Sequence, residues 1–420
     1  MSQSQSQSQS QSQSLPPPLL PLPLAGVTVV ALEQAVAAPL ASRHLADLGA
    51  RVVKIERPDG GDFARGYDRS VGGLASHFVW LNRGKESITL DLRTPEGRAV
   101  LRDLVAAADV FLQNLAPGAA ARLGFGAAEL RARHPRLITV DLSGYGSGGP
   151  YQDKRAYDML IQGEVGLVSL TGTPEQPAKT GVPSSDIAAG MYALSGTLAA
   201  LVGRAGSGQG SAVEVSMFEA TAEWMGHQLH HTQGTGRSPG RAGLSHPGIA
   251  PYDAFPTADE QEVLIGIQND REWARFADGF LARPDLAQHP HWATNVERVR
   301  RRRQVDALVA GRTVTMTAPE VIKLLDALAI ASARVNDVGD LLEHPQLAAR
   351  DRWRPVATPA GEIRGLLPPF GFAGVELPMG PVPALGEHTE PVLRRLGYPP
   401  ERIAALRSAG ALGRPSPTAG

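Results

Sequence analysis

The chain has no cysteine, which excludes disulfides, thiolate nucleophiles and Cys-ligated zinc or iron–sulfur sites together. Any nucleophile must therefore be oxygen or nitrogen. Net charge is almost absent as well: 41 Lys plus Arg oppose 42 Asp plus Glu and leave −1. No whole-chain field steers such a protein to nucleic acid or to a membrane surface, and neither is expected as a partner. Lysine is scarce, at five of the 41 basic residues; the matching excess of Arg, Ala and Gly reads as a GC-rich composition without functional meaning. Past the leader, no apolar stretch escapes a charge or a Gly/Pro break for long enough to span a bilayer, so a soluble, cytoplasmic protein is expected. A Walker A loop and an H-E-x-x-H helix are missing too, which leaves nucleotide hydrolysis and zincin chemistry without their parts.

What is present is regular. After Met1 comes Ser-Gln alternation to Ser14, a polar tract with no apolar surface to offset ordering, and then an apolar stretch Leu15 to Leu24 whose five prolines read as PPII-like; residues 1–23 are expected to be a disordered leader. From Val27 the pattern becomes strand Val27–Leu32, helix Pro39–Leu48 and strand Arg51–Ile55, a β-α-β unit that demands parallel strands. A second unit runs through strand Ser87–Leu92, a helix opened by Thr94-Pro95-Glu96 and strand Val110–Gln113. A helical segment Ala127–His134, strand Leu137–Ser143, a long apolar helix over 187–203 and strand Ala212–Ser216 follow. Small residues at Ala188, Ala189, Gly190, Ala199 and Ala200 allow that long helix to pack closely on a neighbour. This alternation is an α/β pattern, whose site is sought in the loops at the strand C-termini. The expected organisation is a large domain over 24–224, a small domain over 225–329, a C-terminal part over 330–413 that completes the large one, and a tail over 414–420.

Several features admit plain readings. Gly144 to Gly149 contains a formal G-x-G-x-x-G after a strand, but Pro150 and polar residues follow instead of a helix, so it reads as a flexible loop. His227, His230 and His231 could share a helix face, yet no second cluster at ligand spacing supports a metal, and none is expected. The run Arg298 and Arg300 to Arg303 reads as a solvated helix face or an intersubunit contact. Asp158 and Asp186 each open an apolar helix, where the positive helix end keeps a carboxylate ionised. Residue type alone does not separate an N-cap from a reactive carboxylate there, although small residues around Asp186 leave room for a substrate.

A set of short matches does separate them. Leu24-Ala25-Gly26-Val27 with Ala38-Pro39, Leu48-Gly49-Ala50-Arg51 through Arg57-Pro58, Asn82-Arg83-Gly84-Lys85 and Leu90-Asp91-Leu92-Arg93 occur in one order with Asn114-Leu115-Ala116-Pro117-Gly118, Arg122-Leu123-Gly124, Gly144-Tyr145-Gly146 and Gly386-Glu387-His388-Thr389. In these the chain resembles the family III CoA-transferases, a group that includes formyl-CoA transferase, carnitine CoA-transferase and acyl-CoA racemases, from about Leu24 to Ala409. The resemblance implies that Asp186, in the helix after Leu170-Thr171-Gly172, is the nucleophile. Its carboxylate would attack a donor thioester to give a mixed anhydride and then an aspartyl-CoA thioester. It implies CoA contacts at Val36, Arg57, Leu90, Arg93, Asn114, Leu115, Ala116, Arg122, Gly144, Tyr145 and Arg155, with the guanidinium groups of Arg57 and Arg122 suited to the nucleotide phosphates. No permanently bound cofactor is implied; coenzyme A is a substrate, and the partner molecules are an acyl-CoA and a small carboxylic acid. The implied fold is α/β, with a Rossmann-like large domain formed by both chain ends, a smaller inserted domain and an interlocked homodimer.

Departures narrow the activity. Formyl-CoA transferase-like members have Gln where Val36 stands and a glycine run where this chain has Ser245-His246-Pro247-Gly248-Ile249. The racemases carry His at the position of Tyr157 and Glu at that of Asn269, so the α-proton shuttle lacks its acid/base groups here. Ser245 to Tyr252 with Gly266-Ile267-Gln268-Asn269-Asp270 is most similar to members acting on small dicarboxylates with succinyl-CoA. The expected function is accordingly a CoA-transferase for a small carboxylic acid, with the resemblance leaning to a dicarboxylate; an acyl-CoA racemase or epimerase and a non-catalytic CoA-binding protein are the alternatives.

Overall fold

The computed structural model describes residues 20–413, so the leader expected to be disordered over 1–23 lies largely outside the described residues, as does the tail over 414–420. Residues 20–23 are a correction to that leader, because they pack. The Leu20 N–H donates to the Gly374 carbonyl at 2.8 Å, and Leu22 lies so close to Gly49 that a Cβ there would come within 2.4 Å of it.

By packing, the chain divides into two units: residues up to 161 with 183–223 and from 352 onward, and residues 162–182 with 224–351. The first holds a six-stranded sheet of β1 (Thr28–Leu32), β2 (Arg51–Glu56), β3 (Lys85–Thr89), β4 (Val110–Gln113), β5 (Ile138–Ser143) and β6 (Ala212–Ser216). The strands lie in the order β3-β2-β1-β4-β5-β6 and every neighbouring pair is parallel. That order reverses direction between β1 and β4, and a sheet wound this way opens a crevice at the strand C-termini where it reverses. The helices are α1 (Ala37–Asp47), α2 (Ser76–Asn82), α3 (Pro95–Ala106), α4 (Ala119–Arg122), α5 (Ala127–Arg133), α6 (Asp158–Glu164) and α7 (Ser184–Ser207). Thr94 caps α3 by accepting from the Gly97 N–H at 3.0 Å, with Pro95 in the first turn, as the sequence predicts.

Side-chain alternation divides the sheet into two faces. Val30, Val53, Ile55 and Ile88 enter one apolar core with Val100, Leu101 and Leu104 of α3 and with Val392, Leu393 and Ile403 of the last two helices, Thr389–Arg395 and Pro400–Ser408. Those C-terminal segments also bind the edge strand: Gly386 N–H donates to Ser87 Oγ at 2.9 Å and Thr89 N–H to Thr389 Oγ1 at 3.1 Å. Toward α1 the sheet presents Lys54 and Lys85, both buried. The predicted strand Ser87–Leu92 is therefore shifted to Lys85–Thr89, because paired lysine, not an apolar residue, opens it. Among the described residues one helix, α7, is long and apolar enough on composition to cross a membrane; in the fold it packs along α1, β5 and β6 as a core helix.

The second unit contains an antiparallel sheet of β7 (Tyr252–Pro256), β8 (Glu262–Gly266) and β9 (Ala331–Arg334). Its core joins Phe255, Val263 and Ile265 to Trp273, Phe276 and Phe280. The boundaries expected at 225 and 329 are corrected at the C-terminal side. β9 pairs with β8 and Ile330 enters the same core, so the chain does not return to the large unit until residue 352. The Thr171-Gly172 loop also belongs here: Gly243 N–H donates to the Gly172 carbonyl at 2.9 Å, and Arg241 donates to Thr173 and Pro174 carbonyls at 2.8 and 2.9 Å.

The crossing of α1 and α7 turns on Gly190, where a Cβ would come within 2.6 Å of the Ala37 carbonyl oxygen and 3.1 Å of Leu40. Gly190→Ala is expected to lower stability by about 1–3 kcal/mol through overpacking, read as a fall in the urea midpoint. Gly203→Ala in the same helix, with nothing within 4 Å of its Cβ, should leave that midpoint unchanged or raise it by the helix propensity of Ala.

Candidate active site

α1 begins without a side-chain cap, because its N-cap residue is Val36, which has no oxygen to offer. The first four N–H groups of any helix need acceptors from elsewhere, and here the Ala37 N–H lies near enough to the carboxylate of Asp186, three residues into α7, to favour its charged form. The N-terminus of α7 is served in turn by Asp158, whose Oδ1 accepts from the N–H groups of Ser185 at 2.8 Å and Asp186 at 3.3 Å. Asp158 thus closes the start of a helix other than the one it opens.

Burial is the main force on Asp186, and the nearby Asp158 carboxylate adds to it; the Ala37 N–H opposes both. The result pushes the Asp186 carboxyl up to about 7. A carboxyl so placed is a stronger base than an exposed one, and it changes charge near neutrality. Tyr67 stands in the same electrostatic neighbourhood: burial, then Asp62 and Asp186, push its hydroxyl up to about 12. Its ring packs against Phe63 and edge-on to His77, with centroids 5.7 and 5.5 Å apart.

The crevice at the β1/β4 reversal is a cleft of ≈ 380 Å³ at the C-terminal ends of β1 to β4. Four of the residues expected to contact CoA line it together: Arg57, Leu90, Arg93 and Leu115. Arg57 donates to the Gly61 carbonyl at 3.2 and 3.3 Å, while Arg93 reaches into solvent and pairs with Asp91 at 2.8 Å. Asn114 lies beside the cleft as a clasp, its amide accepting from the Gln34 N–H and donating to the Gln34 carbonyl, both at 2.9 Å. Ala116 follows it, and Arg122 donates to the Pro117 carbonyl at 3.3 Å. Farther along the same sheet edge, Gly144 is required by Ala156, whose Cβ would sit 2.3 Å from a Cβ at that position. Tyr145 is enclosed by Tyr151, Phe218 and Lys154, with its hydroxyl buried and without a hydrogen-bond partner. Arg155 is exposed.

Val36 is a correction. Its side chain is only 4% exposed, packed with Leu40, Leu81 and Ile187, because an aliphatic group at the head of α1 joins the apolar contact with α7. It offers a ligand no side-chain surface. In the second unit, Asn269 is occupied as a helix cap, accepting from Glu272 N–H at 3.0 Å. Among the described residues no three His, Asp or Glu side chains group to hold a metal.

Sequence reasoning missed what lies beneath the cleft. Lys54 Nζ pairs with Asp62 at 2.9 Å and Glu33 at 3.4 Å, and Lys85 Nζ with Glu33 at 2.7 Å, all four side chains buried. Glu56, beside them, takes Arg65 at 2.8 Å through both oxygens and Ser87 Oγ at 2.6 Å. Burial, with Lys54 adding to it, pulls Lys85 down against the attraction of Glu33. A signal was available: lysine is scarce, and two of the five fall in strands that should be buried on both faces.

With its folded value near 7 and its ordinary value at 3.8, Asp186 makes the folded state hold an extra proton between those limits. Its favourable contribution is present below the ordinary value and is lost as pH rises through about 7. Asp186→Asn, which cannot ionise, should therefore melt higher than wild type at about pH 8 and alike at about pH 4. Melting temperatures across that range check this; a difference independent of pH would contradict it.

A family model described as CoA-transferase family III matches residues 24–389. The chain is 34% identical over 384 residues to a succinate–glutarate CoA-transferase of Agrobacterium fabrum, covering 89% of this chain and 96% of that one. It is 34% identical over 396 residues to a succinyl-CoA–D-citramalate CoA-transferase of Chloroflexus aurantiacus, covering 92% and 98%. Among solved structures, a CaiB/BaiF family protein from Brucella suis superposes with a TM-score of 0.79 at 34% identity, covering 89% of this chain and 99% of that chain.

Proposed function

The chain belongs to CoA-transferase family III, and on that footing we propose that it moves CoA from succinyl-CoA to a small dicarboxylic acid, with Asp186 as the covalent carrier. The observation that carries this reading is the setting of Asp186: a largely desolvated carboxylate beside the Ala37 N–H, at a helix start without a side-chain cap. The dicarboxylate rests on the relatives named for glutarate and citramalate and on the Ser245 to Tyr252 segment.

The resemblance implies each half-reaction, and the setting of Asp186 supports it. The Asp186 carboxylate attacks the donor thioester carbon, the carbon–sulfur bond breaks, and CoA leaves as thiolate from a mixed anhydride. The thiolate then attacks the Asp186 γ-carbon, releasing the donor acid and leaving an aspartyl-CoA thioester. The acceptor carboxylate repeats the sequence in reverse: it displaces the thiolate from Asp186, and the thiolate attacks the acceptor acyl carbon, freeing Asp186. When the thiolate or the acceptor carboxylate attacks the Asp186 γ-carbon, negative charge develops on an Asp186 carboxyl oxygen, beside the Ala37 N–H; a well-aimed donor at such a place is worth about 3–4 kcal/mol. Arg57, which lines the cleft, would hold the nucleotide phosphates by its guanidinium fork. The interlocked homodimer, and the absence of a permanently bound cofactor, belong to the same reading through the family resemblance.

Purified protein incubated with succinyl-CoA and a panel of short dicarboxylates should yield a new CoA thioester by mass spectrometry, and Asp186→Ala should abolish it. Product formation by that variant would overturn the assignment. Arg57→Ala should raise the KM for succinyl-CoA more than it lowers kcat, because it removes binding common to ground and transition states; an unchanged KM would remove Arg57 from the CoA site.

A further inference from the structure

The cleft that Arg57 lines carries more acid than base. Five carboxylates face it, those of Glu33, Glu56, Asp59, Asp62 and Asp91, against the guanidinium groups of Arg57 and Arg93, and Arg93 is engaged by Asp91. A lining of that sign repels a nucleotide polyphosphate, the part of CoA that Arg57 would hold.

Three of the five, Glu33, Glu56 and Asp62, are at most 4% exposed and form the floor. Each holds a local structure that needs an acceptor. Asp62 takes the Ala35 N–H at 3.0 Å, Glu56 takes the Asp62 N–H at 3.0 Å, and Glu33 takes Ser42 Oγ at 2.6 Å. The cations that answer them stand behind the lining. Lys54 Nζ reaches Asp62 at 2.9 Å, Lys85 Nζ reaches Glu33 at 2.7 Å, and Arg65 binds both oxygens of Glu56 at 2.8 Å. Lys54 and Lys85 have no exposed side-chain surface. Arg65 is engaged by Glu56, by the Pro383 carbonyl at 3.3 Å and by the Phe78 ring, whose centroid lies 3.6 Å from its guanidinium carbon.

Stability alone does not ask for these cations, since buried ion pairs are commonly matched by apolar side chains of similar volume. We infer that Lys54, Lys85 and Arg65 neutralise the acidic floor so that the cleft accepts the phosphates of CoA. They are positioning residues that act through Glu33, Glu56 and Asp62, while Arg57 makes the contact. This rests on the reading of the cleft as the CoA site. Arg65 is the member to test, because Glu56, which it covers, directly precedes Arg57 in the chain.

The probe is CoA itself, titrated calorimetrically into the full chain. Arg65→Met bares the Glu56 charge and should weaken CoA roughly tenfold to a hundredfold. Adding Glu56→Gln should recover most of that loss, because the neutral amide still accepts the Asp62 N–H. Arg65→Lys, which keeps the charge, should stay within roughly threefold of wild type. With succinyl-CoA and glutarate as probe acceptor, the KM for succinyl-CoA should follow CoA affinity while kcat and the KM for glutarate hold. Asp59→Asn, on the exposed part of the lining, puts no folding at stake. It should tighten CoA roughly two- to fivefold at low salt, and the gain should vanish at about 1 M salt.

Should Arg65→Met fail to fold, Asp59→Asn and the pair Glu56→Gln, Arg65→Met carry the comparison, the pair being expected near wild-type affinity. Unchanged affinity in Arg65→Met, a loss that Glu56→Gln does not recover, or no gain from Asp59→Asn would overturn the neutralising role. If Arg57→Ala weakens CoA binding in that case, the cleft stands as the CoA site; if Arg57→Ala leaves it unchanged as well, the reading of the cleft falls too.

Discussion

Buried charge under the C-terminal ends of β1 to β3 is the constraint on which the rest of the large unit depends. Parallel strands covered on both faces are ordinarily apolar throughout, yet here Lys54, Lys85, Glu33, Glu56 and Asp62 are enclosed there. Such charges persist only if each finds opposite charge and satisfied hydrogen bonds, and each does. Glu33 binds the middle of α1 through Ser42; Asp62 binds the β1–α1 turn through Ala35; Glu56 holds the segment after β2 through Arg65 and the Asp62 N–H. Ser87, bonded to Glu56, brings in Gly386 from the far end of the chain. One compact network therefore fixes the loops that wall the cleft and the turn that feeds α1.

The chemistry at Asp186 grows from a relay of helix starts. α1 lacks a capping side chain and begins beside Asp186 of α7; α7 in turn takes Asp158 from α6. The positive end of a helix would ordinarily hold a carboxylate low. Burial and the second carboxylate overcome that effect here, which makes the group more basic while the Ala37 N–H stays beside it. Gly190 makes this possible by letting α1 and α7 approach at the level of Ala37.

Where local patterning governs, the sequence was legible: the β-α alternation, the Thr94-Pro95 helix start and strands Val110–Gln113 and Ala212–Ser216 stand where the pattern places them. Arg57, Leu90, Arg93 and Leu115 were also legible as one group through the resemblance, and the fold brings them to one cleft. What escaped depends on contacts distant in sequence. Which helix start Asp158 closes depends on which helix starts meet. Nothing local shows that β9 pairs with β8 rather than returning to the large domain. Val36 matches a position that is polar in relatives, but its own side chain joins the apolar seam of α1 and α7. Lys54 and Lys85 stand in stretches that match the family, but the role of a buried lysine shows only through the partners the fold brings to it.

The central claim is that CoA passes through the Asp186 carboxylate, and oxygen isotopes test it most directly. In that route the acceptor acid leaves one of its carboxylate oxygens on Asp186 at each turnover. After turnover with an acceptor whose carboxylate carries heavy oxygen, the peptide containing Asp186 should be heavier by labelled oxygen when read by mass spectrometry. Continued thioester formation with that peptide unlabelled would mean that CoA passes to the acceptor without visiting Asp186, and would contradict the account.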